Sequence, residues 1–237
     1  MDFSEKEGHL WLLTISAPPW AASTVRTLST TLSTPIPKIT PNVSFAKRIV
    51  AKCNVIKNEK FPYPCIIYEL NEEKDKDYFT EINNQEDWEH AKYKNYLIDD
   101  LKHVIKSPNL AVYVMEAQDG KCLGYTELIN EDDNTVEILL LETNPKQVSK
   151  RNKNLPIFKY IGETLLAFTV KKAKRENKTA IQVQPSITAE KFYTDKCFFK
   201  KPADYYKGEP FVLPKSRFKK FIDQNRMHTK SSINIVG

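Results

Sequence analysis

Glycine and histidine are scarce in this sequence. Of its 237 residues, 6 are glycine and 4 are histidine. Gly-rich loops that cradle phosphates are therefore scarce as well, and each glycine carries more meaning than usual. The histidines show no metal-ligand spacing, so we expect no metal site. They are His9, His90, His103 and His228.

Cysteine is also sparse, with four residues that form no C-x-x-C pair. This pattern argues against a zinc site and against a disulfide scaffold, and it suits a reducing cytoplasm. The cysteines are Cys53, Cys65, Cys122 and Cys197.

Long apolar runs are missing, since none approaches the ~18 residues that a membrane helix needs. The short run "LWLLTI" (10–15) follows the acid-rich "MDFSEKEG" rather than a basic stretch, so we expect no signal peptide. The sequence shows no internal repeat. It also offers no Ser-His-Asp or Cys-His pair that suits nucleophilic catalysis.

The charged residues, 28% of the chain, are distributed unevenly. Residues 146–237 hold 21 of the 36 Lys and Arg residues but only 7 of the 30 Asp and Glu residues, although the whole chain carries only +6. A basic back half suggests an anionic partner, such as a nucleotide phosphate, nucleic acid or an acidic protein. The alternative is two solvated faces that attract each other.

The chain length fits one large domain or one domain with appendages. Residues 1–44 are rich in Ser, Thr and Pro without lasting periodicity, which predicts an irregular N-terminal arm. We expect one domain over 45–215 and a basic C-terminal tail, partly helical, over 216–237.

Hydrophobic periodicity and turn residues predict strands and helices in alternation. Two apolar runs around Asp119-Gly120 form a hairpin, and the nearly all-apolar 135–143 is a central strand covered on both faces. Thr188 is a plausible N-cap. The predicted elements are a strand at 65–70, a helix at 85–106, strands at 110–117, 122–129 and 135–143, a helix at 161–177, a strand at 179–186, a short helix at 188–196, and strands beginning at 197 and 210. The order predicts a mixed α/β sheet in one domain.

A phosphate site is predicted where the basic loop after the central strand meets the start of the next helix. Free N–H groups in a helix's first turn bind phosphate, and Gly162 lets a ligand approach closely. Five basic residues lie beside it in sequence: Lys146, Lys150, Arg151, Lys153 and Lys159. The alternative is that Gly162 packs the helix on the sheet and the basic side chains are solvated.

Three stretches carry a resemblance to a known family. They are "EILLLETNP" (137–145), "IGETLLAF" (161–168) and "SITAEKFYTDKCFF" (186–199). In this order they resemble the GNAT superfamily of acyl-CoA-dependent N-acyltransferases, over about residues 62–214. The family motifs read E-[IL]-x-x-L-x-V-x-P, G-x-G-x-x-L-L and A-x-x-F-Y-x-x-x-G-F. The matching residues are Glu137, Ile138, Leu141 and Pro145, then Gly162, Leu165 and Leu166, then Ala189, Phe192, Tyr193 and Phe198.

The resemblance implies an α/β (α+β) fold: a single domain with a mixed, mostly antiparallel sheet flanked by helices. It implies acetyl-CoA as co-substrate, with its pantetheine between the central strand and the next one, which splay apart. The pantetheine amides would pair near Leu141 and Thr143. The pyrophosphate would lie on the helix start, formed by Tyr160, Ile161, Gly162, Glu163 and Thr164.

The family's amine attacks the thioester directly, so no enzyme nucleophile is needed. An ammonium must first lose a proton to a base, either a carboxylate or water. Glu137 and Glu142 are candidates, although five positions place them on opposite faces unless a bulge intervenes. Glu137 has a bland alternative as a strand-end carboxylate paired with a lysine. The resemblance gives Tyr193 the role of protonating the leaving thiolate, with Phe192 facing the core; alternatively both rings are core.

Two departures from the family keep a second function open. Tyr160 replaces the first glycine of the helix-start motif, where it can block the pyrophosphate, and Cys197 replaces the glycine of the late motif. The first hypothesis is an N-acetyltransferase whose acceptor is an amine of a small molecule or protein. Its acidic front half (85–106 and 71–77) suits a cationic acceptor such as a polyamine. The second is an inactive CoA-binding or regulatory module.

A third hypothesis is nucleic-acid binding through "KSRFKKF", which interleaves basic and aromatic residues. No recognisable nucleic-acid motif accompanies it, so we expect no nucleic-acid partner and no membrane partner. The oligomeric state stays open, a homodimer included.

Overall fold

A computed structural model describes residues 48–58, 61–70, 109–130, 132, 134–144, 158–203, 209–230 and 232–236. The predicted arm at 1–44, the acidic loop at 71–77, the helix at 85–106 and most of the basic loop after the central strand lie outside these residues. No helix of the described ranges is long and apolar enough to cross a membrane.

The described residues form one mixed, mostly antiparallel sheet, as predicted. Its order is β6-β1-β2-β3-β4-β5-β7-β8, with β9 pairing to β1, and only β5 and β7 run parallel. The strands are β1 (Arg48–Lys57), β2 (Phe61–Leu70), β3 (Leu110–Ala117), β4 (Cys122–Ile129), β5 (Thr135–Thr143), β6 (Phe158–Lys159), β7 (Ala180–Val183), β8 (Phe211–Pro214) and β9 (Asn234–Ile235). Within the described ranges two α-helices flank it, α1 (Ile161–Arg175) and α2 (Lys215–Thr229).

The hairpin and the central strand have the predicted bounds. Gly120 takes a φ of +83° in the turn between β3 and β4, a conformation that L side chains rarely adopt. β5 lies between β4 and β7, and seven of its nine residues are buried. An almost continuous apolar run is what a strand covered on both faces requires.

Strand β1 has no counterpart among the predicted elements, and β2 begins earlier than predicted, at two prolines. Pro62 and Pro64 share parity, and only β1 pairs with this end of β2, since pairing with β3 begins at Cys65. Proline cannot donate a backbone hydrogen bond, and before Cys65 no described strand lies on the β3 side of β2 to require one.

Helix α1 packs on one face of the sheet, named here the α1 face. The Phe168 and Tyr113 rings are 4.9 Å apart, which places Tyr113 on that face. Gly124 on β4 lies beneath the first turn: a Cβ there would stand 3.1 Å from both Ile161 Cγ2 and Leu165 Cδ1. Glycine thus permits the close approach of the helix start to the sheet.

The predicted C-terminal tail is part of the packed body. Helix α2 buries Phe218 and Phe221 in the core that it shares with α1, and β9 pairs with Ala51 and Lys52 of β1. The apolar residues recur at helical spacing within a basic sequence, so one face is core and the other carries the charge.

The segment at 188–196 is not one regular helix. Ser186, not Thr188, takes the N-cap position of a 3-10 turn (Ile187–Ala189), and a π-helical turn follows over Phe192–Lys196. The strand predicted from 197 is wrong as well. Phe198 has a φ of +62°, which interrupts the extended backbone and leaves one isolated bridge between Lys200 and Val212.

Candidate active site

Strands β5 and β7 separate part-way along their length. They pair in parallel only from Thr135 opposite Ala180 to Ile138 opposite Val183. β7 ends there, whereas β5 continues to Thr143. Among the described residues no strand pairs with this last part of β5, so the sheet has a gap beside it.

The backbone of β5 presents polar groups to this gap. The Asn144 N–H donates to the Leu123 carbonyl at 2.8 Å, so the backbone of Asn144 faces β4. Along a strand, alternate residues direct their N–H and C=O to opposite sides. The backbone groups of Thr143 and Leu141 therefore face the gap, the two positions expected to pair with pantetheine amides.

A bulge lies at the point where the strands separate. Glu127 pairs with Leu140 and Leu128 with Ile138, which leaves Leu139 as an extra residue on β5. A bulge bends its strand and re-aims the side chains beyond it.

The bulge places both candidate bases on one face of the sheet. Glu142 lies opposite Tyr125 and Glu137 opposite Ile129, and these partners are four residues apart on regular β4. Both carboxylates therefore lie on the face opposite the α1 face, about 13 Å apart at strand rise. The strict alternation that would separate them does not hold.

Glu142 is held by a tyrosine that the sequence analysis did not single out. It is 1% exposed, and the Tyr125 hydroxyl donates a hydrogen bond to its Oε2. Burial, and then the charge of Glu142, raise the pKa of the Tyr125 phenol well above its ordinary value, so it stays a donor. The sequence does place a tyrosine on the strand next to the candidate carboxylate. It does not give the cross-strand register that brings the two side chains together.

Glu137 has a different environment. It is half-buried and lies opposite Gln182 in the part of β5 that is still paired to β7. The structure thus keeps Glu137 before the gap and Glu142 beside it.

The start of α1 has an unusual cap. Tyr160 adopts a left-handed conformation with φ 68° at the N-cap, without a side-chain cap hydrogen bond. The first intrahelical bond runs from the Thr164 N–H to the Tyr160 carbonyl at 2.9 Å. The amides of Ile161, Gly162 and Glu163 precede it and are the helix's initial donors. The Tyr160 ring stacks on His228 of α2, with centroids 4.9 Å apart.

Glu163 supplies an anion of its own at this helix start. Burial raises the pKa of its carboxyl group, and its own backbone N–H donates a hydrogen bond to it. One of the initial donors is therefore already used, and a bound phosphate would compete with this carboxylate.

Tyr193 and Phe192 both belong to the hydrophobic core. The Tyr193 ring packs edge-on against Phe192 and Phe199, with centroids 5.1 and 5.2 Å away. Its hydroxyl is fully buried and has no hydrogen-bond partner among the described residues. Burial raises the pKa of the phenol, so it remains protonated. A buried hydroxyl without a partner is costly and calls for an explanation.

The π-helical turn that holds Tyr193 approaches the start of α1. Burial raises the pKa of the Cys197 thiol, and the nearby charge of Glu163 raises it further. Thr164, also in the first turn, has a buried Oγ1 without a partner among the described residues. Two buried hydroxyls on neighbouring elements thus have no partner in the described part of the chain.

The structure brings most of the predicted site together. Around Gly124, a Cβ would meet the Glu142 carbonyl oxygen at 2.6 Å and Ile161 Cγ2 at 3.1 Å, so β5 and α1 meet there. The gap, the helix start and Glu142 thus adjoin, while Glu137 lies farther along β5. The basic residues at 146–153 lie outside the described residues.

Comparisons with known proteins give matches among solved structures. No protein-family model matches the chain, and no curated protein sequence does. A proposed acetyltransferase from Exiguobacterium sp. 255-15 matches at 14% identity and TM-score 0.46, over 66% of this chain and 97% of that one. A spermidine N-acetyltransferase SpeG chimera from Vibrio cholerae and hSSAT matches at 16% identity and TM-score 0.45, over 65% and 98%. A proposed streptothricin acetyltransferase from Bacillus anthracis, in complex with acetyl coenzyme A, matches at 22% identity and TM-score 0.36, over 48% and 67%. At these identities and TM-scores the matches carry no further argument.

Proposed function

We propose that this protein is an N-acetyltransferase that moves an acetyl group from acetyl-CoA to an amine by direct attack. The observation that carries the proposal is the separation of β5 and β7 after Ile138 and Val183, directly beside the start of α1. It leaves a strand edge and a helix start facing the same space. A long ligand with amides at one end and a diphosphate at the other suits that pair of features.

The chain's own groups divide the binding of acetyl-CoA. Leu141 and Thr143 would pair through their backbones with the pantetheine amides. The initial amides of α1, from Ile161 to Glu163, would bind the pyrophosphate, with the buried Thr164 hydroxyl as a further partner. The left-handed Tyr160 would turn the chain into that helix. The pyrophosphate would displace the Glu163 carboxylate from its own amide.

The remaining residues would handle protons. Glu142 or Glu137 would take one proton from the ammonium, and the freed nitrogen lone pair forms the C–N bond to the thioester carbonyl carbon. The C–S bond then breaks, and Tyr193 donates its hydrogen bond to the leaving thiolate. The second nitrogen proton passes to the sulfur, directly or through the phenol, so the products are an amide and the free thiol. Because burial raises the pKa of Tyr193, hydrogen-bond donation suits it better than full proton transfer.

The acceptor would be an amine that carries positive charge, on a small molecule or a protein. The sheet face opposite α1 gathers carboxylates from three adjacent strands, and they attract a cation. These are Glu116, Glu127, Glu137 and Glu142. The four described cysteines are buried free thiols, which suits a reducing cytoplasm.

The second candidate function is a CoA-binding module without turnover. Two observations favour it: the Glu163 carboxylate uses an amide of the helix start, and Tyr193 lies entirely within the core. In this alternative acetyl-CoA would stabilise the fold, but no amine would be acetylated.

One experiment separates the two candidates. We expect acetyl-CoA to raise the melting temperature, and a panel of mono-, di- and polyamines to release free thiol in proportion to acetylated product. Glu163→Gln removes the competing charge and should tighten acetyl-CoA binding, whereas the matched Glu176→Gln, at the other end of α1, should leave it unchanged. A melting shift without thiol release supports the binding module, and no shift at all rejects both.

A further inference from the structure

A tyrosine on β4 and a carboxylate on β5 form a hydrogen-bonded polar pair on the sheet face opposite α1. Tyr125 and Glu142 are directly opposite in register, both are buried, and the phenol donates to Oε2 of the carboxylate. A buried carboxylate is costly unless hydrogen bonds satisfy it, and a phenol is a donor that keeps it ionised.

From this pair we infer that Glu142 is the base of the transfer reaction and that Tyr125 is the residue that positions it. This inference rests on the proposed function and deepens it. Tyr125 acts through Glu142: its hydrogen bond occupies one carboxylate oxygen, fixes the rotamer, and directs the other oxygen. The carboxylate then accepts the proton that the ammonium loses before nitrogen attacks.

The position along β5 favours Glu142 over Glu137. Glu142 lies between Leu141 and Thr143, whose backbones face the gap, and it follows the bulge at Leu139. Glu137 precedes the bulge, where β5 is still paired with β7 through Gln182. Glu142 thus lies beside the gap that an amine would enter, whereas Glu137 lies where β5 and β7 are still paired.

The charges around the pair set the direction of its pH response. Burial raises the pKa of the Tyr125 phenol most, and the charges of Glu142, Cys122 and Glu127 raise it further. Glu116 of β3 lies opposite Cys122 on the same sheet face. Glu137 lies on the same sheet face, opposite Ile129, which is four residues from Tyr125 on β4. Each of these favours a neutral phenol that donates to Glu142, and the phenol in turn favours the ionised carboxylate.

The test is Tyr125→Phe, with Tyr68→Phe as matched control. Tyr68 is equally buried, lies on the same sheet face, and donates to Glu116 Oε2 at 2.8 Å, but it is on β2, away from the gap. We expect the acidic limb of the kcat/KM profile to move by ~1 pH unit to higher pH in Tyr125→Phe, since one charge-assisted hydrogen bond is lost. The KM for acetyl-CoA should change less than about twofold, because Tyr125 does not bind it.

Glu142→Gln keeps an acceptor for the phenol and so tests the base without depriving Tyr125 of its partner. It should lower kcat by ~10²-fold or more. The double variant that combines Tyr125→Phe with Glu142→Gln should be no slower than Glu142→Gln alone, because Tyr125 acts only through the Glu142 carboxylate. Carbon-13 NMR of the labelled Glu142 carboxyl group, identified by its loss in Glu142→Gln, should titrate at higher pH in Tyr125→Phe.

The outcomes are distinct. An unshifted limb and an unshifted NMR titration in Tyr125→Phe, with wild-type transfer intact, overturn the positioning role alone. Transfer retained in Glu142→Gln and lost in Glu137→Gln moves the base to Glu137. A wild-type protein that releases no thiol rejects the proposed function, and with it the catalytic role of the pair. A limb that moves equally in Tyr68→Phe shows a general effect of the sheet face and also overturns the inference.

Discussion

Replacing Tyr193 by phenylalanine should stabilise the protein and slow its reaction at the same time. The substitution removes one oxygen atom and leaves the ring in place. The edge-on contacts to Phe192 and Phe199, with centroids 5.1 and 5.2 Å away, are therefore retained. The only change is the loss of a fully buried hydroxyl that has no partner among the described residues.

The magnitude follows from the cost of burying such a group. An unsatisfied polar group costs about 1–3 kcal/mol of desolvation, and an apolar isostere avoids that cost. We expect the free energy of unfolding to rise by about 1 kcal/mol, which corresponds to ~2–4 °C in melting temperature for a chain of this size. If the hydroxyl donates to the leaving thiolate, transfer should slow by ~10²-fold.

Differential scanning calorimetry without ligand measures the first quantity, and thiol release with saturating acetyl-CoA measures the second. The matched control is Tyr113→Phe, whose hydroxyl donates to Glu69 Oε1 at 3.1 Å. Losing that bond should lower stability by ~1 kcal/mol and leave transfer unchanged. Saturating acetyl-CoA should narrow the stability gap between wild type and Tyr193→Phe, because the wild-type hydroxyl then gains a partner.

Two results would refute this reasoning. If Tyr193→Phe is destabilised like the control, the hydroxyl has a stabilising partner and is not waiting for a ligand. If it is stabilised but transfers acetyl groups at the wild-type rate, the ring is purely structural. Only the combination of a more stable and slower enzyme supports the assigned role.

Three further predictions follow from the packing. Gly124→Ala should lower the free energy of unfolding by ~1–3 kcal/mol and weaken acetyl-CoA binding, because the new Cβ would stand 2.6 Å from the Glu142 carbonyl oxygen. Urea unfolding measures the first effect and calorimetric titration the second. Phe221→Ala should lower the free energy of unfolding by ~3–5 kcal/mol, because Phe221 lies in the core. Met227 is 71% exposed on the same helix, so Met227→Ala should lower it by less than ~0.5 kcal/mol, and equal losses would contradict this packing. The free energy of unfolding should fall as pH rises from about 9 towards 12. Burial raises the pKa of the Cys65 thiol from 9.0 to about 12, so the folded state keeps a proton that the unfolded state loses. In Cys65→Ala the free energy of unfolding should fall less steeply over this pH range.

The central part of the fold could be predicted from the sequence because its signals are local. The hairpin has a turn glycine between two apolar runs, and β5 is an apolar run bounded by turns, so both have the predicted bounds. Helix α1 also begins where predicted, at Ile161. The resemblance of the motifs then implied that these elements form a mixed, mostly antiparallel sheet.

The missed elements have weaker or misleading local signals. Strand β1 reads "RIVAKCNVIK", a mixture of basic and apolar residues typical of a strand near a sheet edge. Helix α2 is basic on average, so its charge concealed the core positions Phe218 and Phe221. The π-helical turn at Phe192–Lys196 depends on packing that no periodicity reveals.

The candidate site shows the same division. Glu142 was a candidate from its residue type and position, and the resemblance of the motifs implied Thr143 and Tyr193. The bulge at Leu139 decides which face the carboxylates share. Tyr125 became visible only through the register of β4 with β5. Cross-strand partners are set by tertiary pairing, which a single sequence does not encode locally.

On the side of β1 away from β2, the part of the chain that the structure describes pairs in two short stretches rather than along the whole strand. β6 covers Ile56 and Lys57, and β9 covers Ala51 and Lys52. These two pairings, made by distant parts of the chain, divide the ten-residue edge of β1 into stretches too short to pair with a strand of another molecule. We therefore expect resistance to aggregation to depend on β9: local detachment of β9 would expose the β1 edge at Ala51 and Lys52 while the core stays folded.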